Sequence, residues 1–436
     1  MIYILFIGIL ILFFISFFLF KKNILNPSVI LCSVFLVSLF FSVLNVKKWG
    51  ISFHLNTVLI VLGTIIVFIL GNSIVYLLPK KQFKITKRDK KIKIKAISFK
   101  KLFFIDIVLL ILLYKYFQET YRLSIIGGNP GGYNLMLAYA RNALLNFSHM
   151  NRIIGYSIFF ANSISYVCFF IFSYITIFEK FKIKNLYLLS PTIIYCGFII
   201  LSTGRTSFIY LIIYMLIVFF ILYQQKYNFS FKIMKKIVFC GFLSLIIFFI
   251  IFNLSGSLKG NILTKEAIFR RISIYTGSSI PALDIYINSP KIPNKYFGEN
   301  TLFSIYKILR KFGYEISQLN PPYEWVYFGG IRTNICTAIR RYYEDFGIEG
   351  MILITFFLGV FYGIFFYCAS YKKNNFFILI LYATLCYPIF EFPIEERFLM
   401  TVFPTGLIYY FIALGTIYYF LVYKYNTSNT REKLEV

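Results

Sequence analysis

MIYILFIGILILFFISFFLFKK, residues 1–22, stays apolar for about twenty positions before its first charge. A helix rises 1.5 Å per residue, so such a run has the length that crosses the ~30 Å hydrocarbon core of a bilayer. It lacks a basic leading segment and a small-residue cleavage site, so it reads as a retained span rather than a signal peptide. Similar runs recur near 2–20, 28–46, 56–78, 102–117, 153–178, 186–203, 206–223, 237–254, 348–368, 376–390 and 398–422. They predict an all-α polytopic membrane protein of about 11 transmembrane helices. Of the 436 residues, 59% are hydrophobic and 21% aromatic, which agrees. Spanning helices share one interior, so residues 1–436 are expected to form a single transmembrane domain with inserted loops.

The loop KKQFKITKRDKKIKIKAISFKK, residues 80–101, carries eleven basic residues and one acid. Basic loops stay on the cytoplasmic side, so this one is expected to be cytoplasmic and to orient the rest by alternation. The outer side then receives an outer loop at 118–152, the tight turn at Gly204–Arg205, a large outer loop at 255–347 between spans 8 and 9, and the short loop 391–397. On this map eleven of thirteen arginines lie outside and only Arg88 and Arg431 inside, whereas lysines divide about 23 inside to eight outside. Lysine follows the topology. Arginine, a planar fork that grips phosphate or carboxylate through paired hydrogen bonds, collects where topology disfavours it. Lys47 and Lys48, on a nominally outer loop, are the local exception.

The formal charge of +28 does not indicate nucleic acid, because no soluble segment is long enough to fold as a basic module and membrane proteins gather Lys and Arg at their rims. Six of the seven cysteines fall within apolar runs and no CxxC pair occurs, so neither a disulfide framework nor a cysteine metal site is expected. With only His54 and His149, a His-based triad or histidine metal site finds no support, and no cofactor or metal is expected.

Three stretches carry chemistry. In LSTGRTSF, Leu201–Phe208, Arg205 sits at the tip of an apolar hairpin beside the unpaired N–H groups of the following helix, a small anion site. In RTNICTAIRRYYEDFGIEG, residues 332–350, helical spacing over 332–347 would put Ile335, Ile339, Tyr342 and Phe346 on one face and Asn334, Thr337, Arg341 and Asp345 on another. Arg340 with Glu344, and Arg341 with Asp345, fall at the i,i+4 spacing of surface salt bridges, the plainer reading of the same charges. In YPIFEFPIEERF, Tyr387–Phe398, Pro388 and Pro393 interrupt the helix so that Glu391, Glu395, Glu396 and Arg397 can turn inward, where a glutamate of raised pKa can accept a proton. The knot GGNPGG, residues 127–132, is read as a tight turn, since GxxxxGK[ST] spacing is absent.

The run GGIRTNICTAIRRYYEDFGIEGMILITFFLGVFYG, with its Asn-x-x-Thr, aromatic pair and Asp-Phe-Gly before a late span, together with the TGRTS turn, resembles the oligosaccharide repeat unit polymerases, the Wzy-type O-antigen and capsule polymerases. The resemblance implies a GT-C-like membrane glycosyltransferase in the bacterial cytoplasmic membrane, its active site facing outward. It would join polyprenyl-diphosphate-linked oligosaccharide repeat units without a metal. Its partners would be the lipid-linked donor and acceptor, membrane lipid, a chain-length regulator and a flippase. Arg205, Arg332, Arg340, Arg341 and Arg397, with Asn334, Thr337 and Tyr342, would bind substrate, and Asp345, Glu344, Glu391 or Glu395 would act as the base. The alternatives are a lipid-linked oligosaccharide flippase, disfavoured by the absence of an internal repeat and by the long loop on one face, and an O-antigen ligase.

Overall fold

The computed structural model describes residues 1–77, 94–227 save 134, 147, 180 and 205, parts of 235–246, and 264–289, 294–316, 324–371, 375–402 and 405–424. Among them, seven helices are long and apolar enough to cross a membrane: Ile2–Leu19 (α1), Pro27–Leu44 (α2), Leu55–Leu77, Arg152–Phe178, Ile183–Leu201, Thr206–Tyr227 and Ala338–Tyr371. All seven coincide with expected spans. Of the other four, 102–117 is a 28-residue helix, Phe99–Ile126, whose Asp106, Lys115, Glu119 and Arg122 interrupt its apolar run. The region 237–254 lies mostly outside the described residues. In the tenth, Phe376–Thr384 is followed by a separate helix, Tyr387–Glu391, and the described parts of the eleventh are helical, Phe398–Val402 and Thr405–Tyr418. Pro388 stands in the first turn of Tyr387–Glu391, where its missing N–H costs nothing to a new helix but ends the old one.

The chain forms two compact units. One comprises Met1–Lys84, Lys265–Cys368 and Cys386–Leu407; the other comprises Ile85–Thr264, Ala369–Leu385 and Ile408–Val436.

In the first unit, α1 buries only Ile2, Leu5, Ile9 and Ser16 and leaves the rest of its apolar surface open, as a lipid-facing helix does. Helix α2 starts at Pro27 with Asn26 as its cap, the Asn26 side chain accepting from the Ser28 N–H. A four-residue helix, Val46–Trp49 (α3), and the turn ending at His54 lead into α4, Leu55–Leu77. Asn72 of α4 donates to Asn26 Oδ1 and Ser28 Oγ, both at 2.7 Å, which satisfies polar groups that would be costly unpaired among apolar helices. The chain then returns as α10, Lys265–Gly277, and α11, Ser279–Asn288, counting α5 to α9 as Phe99–Ile126, Met136–Asn146, Arg152–Phe178, Ser190–Leu201 and Thr206–Tyr227. Ser38 and Ser42 of α2 donate to the carbonyls of Thr276 and Gly277, at 2.7 and 2.6 Å, docking the end of α10 on α2.

Helix α4 crosses the Ala338–Tyr371 helix in direct backbone contact. A Cβ on Gly359 would lie 2.3 Å from the Phe68 carbonyl oxygen, and one on Gly71 2.3 Å from that of Phe356. Without a hydrophobic driving force between helices in lipid, such close approach is what holds them. Gly359→Leu is expected to cost at least about 2 kcal/mol through overpacking, read as a lowered melting temperature in detergent. Gly63→Ala, which has open space around its Cβ, is the control; equal melting of the two variants would refute the contact.

In the second unit, α7 packs on α8 and α9. The rings of Tyr166 and Tyr214 stack 3.7 Å apart, and the Tyr214 hydroxyl donates to the Tyr166 carbonyl. The GGNPGG segment is a tight turn, as its composition suggests: Asn129 accepts from the Gly131 N–H and donates to the Gly132 carbonyl. Arg122 beside it is paired with Glu119 at 2.7 Å.

Candidate functional site

The site is assembled in the first unit from three pieces of chain: residues 324–346, the segment 386–400, and α11 with the loop 294–301. The helix expected over 332–347 begins only at Ala338. Residues 331–333 instead form a strand, β2 (Ile331–Thr333), paired antiparallel with β1 (Val326–Phe328), with Tyr327 opposite Arg332. The reason is the two-residue loop Gly329–Gly330, φ +52° and +68°, a conformation that closes hairpins and that glycine adopts without strain. Thr337 then caps the helix, its hydroxyl accepting from the Arg340 N–H at 3.2 Å, and the Ala338 N–H donates to the Phe392 carbonyl. This helix, α13 (Ala338–Tyr371, with Phe303–Lys311 as α12), is broken at Gly347, φ +67° and ψ −169°. Residues 338–346 are therefore a separate two-turn piece standing before the span.

Arg340 and Arg341 on that piece are 1% and 0% exposed, the two bulkiest fully buried side chains among the described residues. An isolated buried charge costs several kcal/mol, so each guanidinium must be compensated. Arg341 Nη1 donates to Glu344 Oε2 at 3.1 Å and its Nε to Glu395 Oε1 at 3.5 Å. Arg340 pairs with Glu324, stands 3.9 Å from Glu344, donates to Cys336 Sγ, and lies 4.3 Å over the Tyr286 ring. Its Nε–H has no hydrogen-bond partner among the described residues. Two guanidiniums thus meet three carboxylates. Burial holds the Glu395 carboxyl above the usual carboxylate range, against the opposing pull of Arg341 and Arg397. A carboxyl that retains its proton relieves the excess negative charge, and beside a guanidinium it is suited to proton exchange.

Other expected residues take different places. Asp345 is not paired with Arg341, although i,i+4 spacing allowed it. Its Oδ1 accepts from Asn294 Nδ2, Asn300 N and Asn300 Nδ2, and its Oδ2 from Thr301 N and Oγ1, at 2.7 to 3.1 Å. Tyr342 donates to Glu396 Oε1 at 2.8 Å, and buried Glu396 also accepts from the N–H groups of Phe398, Leu399 and Met400, tying α13 to the last segment. Arg397 donates to Glu391 at 3.1 Å. Exposed Arg332 is not with the buried pair; it stacks on Trp325 at 3.9 Å. Half-buried Asn334 lies in the turn between β2 and the cap, and Arg205 falls outside the described residues. Glu324 and Tyr286 enter the site without having been read from the sequence. The Gly-Gly loop between VYF and IRT signals the hairpin that carries Glu324, whereas no spacing points to Tyr286.

The chain is similar to an O-antigen polymerase of Shigella dysenteriae, 27% identical over 222 residues, which are 49% of this chain and 53% of that protein. The aligned region thus spans about half the length of this curated relative. No family model matches the chain, and no solved structure does.

Proposed function

We propose that this chain is a Wzy-like polymerase, a membrane glycosyltransferase that extends polyprenyl-diphosphate-linked saccharides on the outer face of a bacterial cytoplasmic membrane. The observation that carries the reading is the buried Arg340–Arg341 pair, ringed by carboxylates on a helix that breaks at Gly347 just before a span. Likeness to an O-antigen polymerase supports it.

In this reading the acceptor hydroxyl attacks the anomeric carbon of the donor chain, the C–O bond to the diphosphate breaks, and the hydroxyl proton passes to a carboxylate. The negative charge that develops on the leaving diphosphate is stabilised by guanidiniums already held in place and away from water, where their field is strongest. The buried Nε–H of Arg340 makes no hydrogen bond among the described residues, with Glu344 3.9 Å away, and is the donor left for a phosphate oxygen. Glu395 and Glu344, which touch Arg341, are the base candidates; Asp345, saturated by the 294–301 loop, positions the helix. Purified chain supplied with lipid-linked repeat units should give a ladder of lengths, and single units alone would refute the polymerase.

Because burial raises the Glu395 carboxyl, it is protonated, and unable to accept a proton, at a pH where an exposed glutamate is ionised. The rate is therefore expected to rise with pH through a midpoint above the ordinary carboxylate range. Glu395→Gln should abolish that limb, and a limb unchanged in the variant would exclude Glu395 as the base.

A further inference from the structure

The first unit holds a second cationic site, apart from the buried arginine pair. A cavity of about 270 Å³ opens among α3, α10 and the hairpin turn, lined by Lys48, Trp49, Arg270, Ser273 and Gly329–Gly330. Gly329 is essential to its shape, since a Cβ there would sit 2.2 Å from the Trp49 Cα. Arg270 donates one N–H to the Gly330 carbonyl at 3.1 Å, which leaves the rest of its fork open. In contrast to Arg122, Arg340, Arg341 and Arg397, neither Lys48 nor Arg270 meets a carboxylate among the described residues. The nearest acid on α10, exposed Glu266, makes no ion pair among them. Ser273 is 1% exposed, yet its buried hydroxyl has no hydrogen-bond partner among the described residues.

We infer that this cavity binds the phosphate group of an amphiphile at headgroup depth. Two cations without a carboxylate suit a phosphate anion, Arg270 offers a fork for its oxygens, and Ser273 supplies a hydroxyl that has no other partner among the described residues. The cavity lies where α2 ends at Leu44 and α4 begins at Leu55, at the rim of two spans, with half-exposed Phe269 beside it. Its volume is below the ~300–1,000 Å³ of ordinary small-molecule pockets, so it takes one head group and not an oligosaccharide. It also accounts for Lys48, one of the two lysines that break the charge pattern of the outer loops. Two sources share this chemistry, a membrane phospholipid and a polyprenyl diphosphate; the second rests on the polymerase reading, as the phosphate end of a second lipid-linked substrate.

The chain has two tryptophans, so Trp325→Phe leaves Trp49 as the reporter at the cavity. In phosphate-free maltoside micelles this variant is titrated with a polyprenyl diphosphate and, separately, with phosphatidylglycerol. A saturable change in Trp49 emission is expected, and adding Lys48→Ala or Arg270→Ala should raise the midpoint about tenfold, while Arg270→Lys restores part of the loss. Response to the diphosphate alone assigns the site to the lipid-linked substrate; an equal response to phosphatidylglycerol assigns it to membrane lipid. No saturable change with either amphiphile, or midpoints unmoved by Lys48→Ala and Arg270→Ala, would overturn the inference. Binding is read without turnover, so a chain that binds but does not polymerise separates this inference from the proposed function.

Discussion

Arg341→Lys is expected to slow chain extension by about a hundredfold, the scale set by loss of one preorganised donor to a developing oxyanion, while net charge is unchanged. Arg341 is fully buried and reaches two acids at once through different nitrogens, Nη1 to Glu344 and Nε to Glu395. Lysine offers a single ammonium that can sit on one carboxylate but cannot span both and still face a diphosphate. The readout is product length from lipid-linked repeat units: the wild-type ladder should collapse to one or two units. Normal polymerisation by Arg341→Lys at ordinary expression would sink the paired-donor role of this residue. Arg332→Lys is the comparison, because Arg332 is exposed on the hairpin and stacked on Trp325; its effect should be within a few-fold.

Asp345→Asn should destabilise the first unit by about 2–4 kcal/mol, since hydrogen bonds to a charged acceptor are worth about 1.5–3 kcal/mol each, Asp345 is half-buried, and an amide cannot accept at both ends. One of its termini would present N–H to donors, either Thr301 N and Oγ1 or the Asn294 and Asn300 groups. Hydrogen exchange gives the direct test: the Asn300 and Thr301 amides, which donate to Asp345, should lose protection in the variant. Unchanged protection there would mean the carboxylate does not hold the loop. Activity should fall with the stability, and lowering the temperature should recover part of it, which would not happen if Asp345 took the proton from the acceptor.

The charges of residues 332–350 show how far spacing carries and where it stops. That Arg340, Arg341 and Glu344 belong together is legible from one helical turn. Their partners Glu324, Tyr286 and Glu395 are 16 to 54 residues away in sequence, and nothing local selects them. The i,i+4 rule pairs Arg341 with Asp345, but burial changes the outcome. Inside, a guanidinium takes whichever carboxylate lowers its desolvation cost, and Glu344 and Glu395 are on its side, whereas Asp345 faces a loop rich in N–H donors. The start of the helix at Ala338 is not legible either, because the apolar period continues smoothly through Ile335 and Ile339 and conceals the hairpin that Gly329–Gly330 closes.

The sequence by itself determines that this is an all-helical chain with several membrane spans, because twenty apolar residues in lipid have no other way to satisfy their backbone. Alternation and the sorting of arginine from lysine add an expectation for the loops and for the region of the candidate site. Only the tertiary structure decides which charges are buried together. Gly347 breaks the helix so that Arg340 and Arg341 stop short of the span, the proline-interrupted segment brings Glu395 against them, and the turn at Lys48 meets Arg270 across more than two hundred residues. These are contacts between distant pieces of chain, set by packing rather than by any local period.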